Sequence, residues 1–131
     1  MSEYTIQKNK PISPFSLHPD KEECENMFGP TTKEFQRTPD SEGKVLAYDN
    51  HALQVTMDAA GKARELIFFQ PNKLFIEDVQ VLGRDKGAVL SDLENRGIKL
   101  EIIDVGFYSE EYTAVFVIVE NMIDGVEVSC A

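Results

Sequence analysis

The chain has 131 residues, 42% of them hydrophobic and 27% charged, with 23 acids against 13 bases and a net charge of −10. That length fits one domain with one core, and the composition excludes a disordered chain. The one-signed charge excludes nucleic acid and anionic membrane as natural partners and favours a basic one. The charge is also uneven. Residues 1–99 hold 16 acids against 13 bases, whereas residues 100–131 hold seven carboxylates and no Lys or Arg.

Residues 1–19 read as an irregular arm, broken by Pro11, Pro14 and Pro19, with at most a short edge strand over 4–7. A first helix is predicted over 19–28. Pro19 suits the first helical position, and Asp20, Glu22 and Glu23 suit the positive end of the dipole. Cys24, Met27 and Phe28 form the buried stripe, and Gly29-Pro30 stops the helix. Residues 30–43 read as a loop. Strands follow over 45–49, 52–57 and 63–70, with turns at Asn50-His51 and over 58–62; Leu53, Val55 and Met57 alternate with polar residues. Residues 73–82 form a further extended segment. Asp85 caps a second helix over 86–96, which Gly97 ends. Three strands over 98–105, 112–120 and 126–130 close the chain, the last two joined through Asp124-Gly125. Residues 113–119 are apolar on both faces, which predicts a strand buried on both sides. The second cover would be the N-terminal arm or a second subunit.

This order predicts an α+β fold: a twisted antiparallel sheet of six or seven strands with two helices on one face. Two abutting smaller sheets, or a homodimer sealed through the second face, are the variants. The helices open with Asp20-Lys21 and Asp85-Lys86 and close at Gly29 and Gly97, so an internal helix-plus-meander duplication is one reading, in which the two meanders join as one sheet. Residues 1–10 contain no apolar core of a signal peptide, and the longest apolar run, 114–119, is far too short to span a bilayer. The expected location is the cytoplasm, with Cys24 and Cys130 as free thiols or as a disulfide between the first helix and the last strand.

Met27-Phe28-Gly29-Pro30-Thr31, Ala47-Tyr48-Asp49, residues 53–58 (Leu-Gln-Val-Thr-Met-Asp) and Gly61-Lys62 resemble a known module over residues 20–69. It is that of the SmpA/OmlA outer-membrane lipoproteins and of β-lactamase inhibitory protein, in which a helix ends in a Phe-Gly turn before a strand-turn-strand. The resemblance implies a protein-binding fold and not an enzyme. In size, acidity and element order the chain also resembles small bacterial immunity proteins, which neutralise toxins.

Catalytic and metal patterns are absent from the sequence. His18 and Cys24 lie six apart, His51 stands in a turn, and Asp104, Glu110 and Glu111 lack the order of a calcium loop. Asp49-Asn50-His51 is turn chemistry rather than a triad, and 82–87 lacks the glycine spacing of a phosphate loop. No cofactor or metal is expected. One segment carries binding chemistry: from Asp104 to Tyr112, aromatic residues interleave with carboxylates. The expected partner-binding residues are Glu101, Asp104, Tyr108, Glu110, Glu111, Tyr112, Glu120 and Asp124. The expected function is that of an immunity or inhibitor protein occluding a basic partner such as a toxin nuclease domain. A non-inhibitory protein- or ligand-binding module of the SmpA/OmlA-like type is the alternative, and a small enzyme without a readable motif is a third.

Overall fold

Each helix starts at an aspartate. In the computed structural model, which describes residues 3–8, 10–36, 39 and 43–130, Asp20 accepts a hydrogen bond from the Glu23 N–H at 2.8 Å and opens α1 (Lys21–Phe28). Asp85 accepts from the Gly87 and Ala88 N–H groups at 2.9 and 3.1 Å and opens α2 (Lys86–Asn95). The expected helical Pro19 therefore lies outside α1, because Asp20 and not Pro19 satisfies the free N–H groups.

After α1 come β2 (Lys33–Phe35), β3 (Val45–Tyr48), a 3-10 turn over Asp49–His51, β4 (Leu53–Met57) and β5 (Ala63–Phe69). After α2 come β8 (Glu101–Ile103), β9 (Gly106–Ser109), β10 (Ala114–Val119) and β11 (Met122–Ser129). The two four-stranded meanders join through β5 and β11 into one antiparallel sheet, ordered β2-β3-β4-β5-β11-β10-β9-β8. The order is two-fold: each half runs from a three-residue edge strand inward to a long central one. Each capping aspartate also bridges the start of its own half's last strand, Asp20 to Lys62 and Asp85 to Met122. A second, three-stranded sheet holds β1 (Glu3–Ile6), β6 (Lys73–Ile76) and β7 (Val79–Gln80), with β1 and β6 parallel.

The large sheet thus has eight strands, not six or seven. Both additional strands lie in segments whose sequence reads as loop. β2 is Lys-Glu-Phe, exposed throughout and without alternation; part of the 30–43 loop lies outside the described residues. β9 is Gly-Phe-Tyr-Ser, whose aromatics read as a recognition loop. The last hairpin turns at Glu120-Asn121, both left-handed at φ 51° and 68°, as its two-residue loop requires. Asp124-Gly125 lies inside β11, where the register slips by one residue opposite Val117 and Ile118.

Inward-facing Leu46, Tyr48, Leu53, Val55, Leu66, Phe68, Ala114, Phe116, Val126 and Val128 form one core with Cys24, Val89 and Leu93 of the helices. The N-terminal arm packs into the same core, with Tyr4 4.6 Å from Phe68 and Phe15 5.8 Å from Phe28 between ring centroids. It therefore does not cover the opposite face. On that face Val115 and Val117 are half-buried and Val119 is exposed, so β10 is not buried on both sides as its composition predicts.

Gly106 sets a close approach between β9 and β10. Its φ is 155°, and a Cβ there would lie 2.1 Å from the Phe116 carbonyl oxygen. Gly29, at φ 79°, has nothing within 4 Å of the same position. Gly106→Ala is expected to lose more than about 3 kcal/mol in urea unfolding, because backbone must shift. Gly29→Ala is expected to lose about 1–3 kcal/mol, the backbone penalty alone, because φ 79° with ψ −165° is a conformation essentially reserved for glycine.

Candidate functional site

Register decides where the C-terminal acids go. The inward positions of the second meander carry no charged residue, only apolar side chains and Ser109, so its carboxylates fall on turns and on the opposite face. The β8–β9 and β10–β11 turns share one end of the meander, and the β9–β10 turn is at the other, roughly 20 Å away for six residues of strand.

The eight expected binding residues divide accordingly. Asp104, in the β8–β9 turn, and Glu120, in the β10–β11 turn, are exposed at one end. Asp124 sits in the bulge near them and accepts a 3.3 Å hydrogen bond from the Gln70 side-chain amide. Glu101 and Tyr108 are cross-strand partners on the opposite face. Glu110 and Glu111 lie at the far end, where Glu111 pairs with Lys8 at 2.9 Å. Tyr112 must be corrected from anchor to core: it is buried, and its hydroxyl reaches Glu77 Oε1 at 3.4 Å. Burial, followed by the Glu77 carboxylate, raises its pKa.

The structure adds what charge alone had missed. Among the described residues six large apolar side chains are exposed, and four belong to this meander: Ile102 (82%), Val105 (49%), Val119 (50%) and Met122 (40%). Val119 and Met122 are the pair that closes the β10–β11 hairpin. Val105 lies in the β8–β9 turn beside Asp104, and its carbonyl accepts from the Ile118 N–H at 2.9 Å. The N-terminus of α2 is tied to the same end, the Lys86 N–H donating to the Asn121 carbonyl at 2.8 Å. This end therefore presents aliphatic surface between Asp104 and Glu120, with Lys86 as the neighbouring cation. The sequence signal was Ile-Ile-Asp-Val and Val-Glu-Asn-Met, aliphatic residues flanking acids at two hairpin turns.

Elsewhere the reactive groups are quiet. Cys24 is fully buried beside Tyr48, and burial, with Glu23 and Asp20, pushes its thiol up to about 12. Burial, followed by Glu65, raises the Cys130 thiol to about 11. Both are free thiols, and both are protonated at neutral pH. Cys130 lines a ≈ 320 Å³ cleft between the arm and the sheet, with Lys10, Glu111 and Tyr112 on its wall. The His51 ring lies 5.0 Å from the Phe28 ring between centroids, tilted by 50°. Among the described residues no group of three His, Cys, Asp or Glu is placed to hold a metal, and no helix is long and apolar enough to cross a membrane.

No protein-family model, curated protein or solved structure matches this chain.

The buried thiol gives alkaline pH a defined effect. Its folded pKa lies above the ordinary 9.0, so its stabilisation is whole below pH 9 and drains as pH rises through about 12. Urea midpoints are expected to fall between pH 8 and pH 10.5, and to fall less in Cys24→Ala. Cys24 is expected to resist a thiol-specific disulfide reagent at pH 8 until the chain is unfolded.

Proposed function

We propose that this chain is a protein-binding protein of the immunity or inhibitor type, which docks a cationic protein partner through the apolar and acidic end of its second meander. The observation that carries the reading is the coincidence of Val105, Val119 and Met122, all exposed, with Asp104 and Glu120 at one end of one sheet. Interfaces join an apolar centre to a polar rim, and carboxylates accept paired hydrogen bonds from arginine. A toxin nuclease domain is the natural partner. Its cleft is cationic because it holds phosphates, and carboxylates set on rigid hairpin turns can take the phosphate positions.

Glu110 and Glu111 lie at the opposite end of the meander, away from the exposed aliphatic groups, so they provide an internal control. Two variants with the same charge change separate the ends: Asp104→Asn with Glu120→Asn, and Glu110→Gln with Glu111→Gln. The first pair is also structurally safe, since Glu120 occupies a left-handed position that asparagine tolerates better. Against a basic toxin domain encoded beside this chain, the first pair is expected to slow association at least about tenfold and to flatten its salt dependence. The second pair is expected to change the rate less than about threefold, through long-range charge alone. Equal effects from the two pairs would show that overall charge, and not this end, governs binding.

A further inference from the structure

β8 ends the sheet order, and among the described residues it pairs with β9 alone. Such an edge offers unpaired N–H and C=O groups, and proteins ordinarily guard it by keeping it short or with charged side chains, above all lysine, with proline, a bulge or a covering element. The opposite edge has such a guard. In β2, Lys33 lies over the Phe35 ring at 5.7 Å, and Glu34 pairs with Lys21 at 3.2 Å. β8 is Glu-Ile-Ile, with neither lysine nor proline and no register shift against β9. Its central residue, Ile102, is 82% exposed on the helix-bearing side. Beside it a cleft of ≈ 390 Å³ opens between α2 and the sheet, walled by Leu90, Phe107 and Ile118. An edge guarded only by its shortness and by Glu101 therefore runs along an open cleft that is apolar at Leu90, Ile102, Phe107 and Ile118, with Lys86 and Asp104 also on its wall.

We propose that β8 is a docking edge on which an extended segment of a partner protein adds as a ninth strand. The inference rests on the reading of this meander as the partner-binding region, and it names the mode of contact. A strand laid about 4.8 Å from β8 sends alternate side chains to opposite faces. Those on the helix side enter the cleft beside Ile102 and must be apolar. Those on the other side meet Glu101, with Asp104 at the strand end, and are best basic. The occupant is thus an extended segment alternating apolar residues with Lys or Arg. A second copy of this chain does not meet the requirement, because each copy carries a net charge of −10.

The test uses the full-length ¹⁵N-labelled chain and the end-capped peptide Lys-Val-Lys-Ile-Lys-Val-Lys, followed by NMR. Strand addition is expected to shift the amide signals of residues 101–103 and to slow exchange at the N–H groups of β8 that point away from β9. A peptide N-methylated on the nitrogens of one strand edge is expected to bind at least about tenfold more weakly, since the ladder cannot form. Ile102→Ser is expected to weaken binding without lowering stability, its side chain being largely in solvent. Equal binding of the N-methylated peptide, or of a scrambled one with the four lysines in a block, would overturn strand addition. So would the absence of shifts at 101–103. Each of these leaves docking of a folded basic domain at Asp104 and Glu120 standing, because the paired charge variants test that separately.

Discussion

The ladder between β5 and β11 is the constraint on which the molecule depends. Five residue pairs, from Phe69 with Gly125 to Glu65 with Ser129, turn two meanders into one sheet. Leu66, Phe68, Val126 and Val128 point from it into the core and are almost wholly buried, while Glu65, Ile67 and Glu127 point the other way. A slip of one residue would exchange these sets and drive two glutamates inward. Because the ladder puts both halves in register, α1 and α2 cover the same face and a single core serves both. It also sends the shortest strands, β2 and β8, outward as the two edges.

Charge follows from this arrangement. A chain with 23 acids must keep them out of a core whose alternate positions are taken by aliphatic and aromatic side chains. In the second meander the remaining places are hairpin turns and the face without helices. Glutamates and aspartates therefore divide between two ends, and what distinguishes one end from the other is aliphatic surface. Val105, Val119 and Met122 stay in solvent although the neighbouring Phe107, Phe116 and Ile123 are buried. These exposed aliphatic groups stand beside carboxylates on two-residue turns, whose backbone has little freedom to lose.

Much of the fold was legible in the sequence, for local reasons. Asp85 marked the start of the second helix because capping is decided within four residues, whereas Asp20, read inside a helix that began at Pro19, is itself the cap of the first; Leu53, Val55 and Met57 marked a strand because alternation is equally local, although Thr56 between them is buried as well. The order of helix and meander, given twice, carried the joined sheet. β2 and β9 were not legible. Three exposed residues have no periodicity, and the Phe107-Tyr108 pair looks the same in a loop as in a strand whose two faces are both partly covered. Asp124-Gly125 carries the dipeptide of a tight hairpin, yet the ladder with β5 extends through Gly125 and displaces the turn to Glu120-Asn121. For the site, composition located the acidic segment, but only register could split it, bury Tyr112 and pick out the exposed Ile102. Those outcomes depend on strands far apart in sequence.

This arrangement makes β11 and β5 the centre of cooperativity and β8 an open edge, and amide hydrogen exchange of the free protein measures both at once. The N–H groups of β5 and β11 that bond across their ladder are expected to exchange only through global unfolding. The outward N–H groups within residues 101–103 are expected to exchange nearly as fast as unpaired amides. Uniform protection across 101–103, or exchange of the β5–β11 ladder ahead of α2, would contradict it.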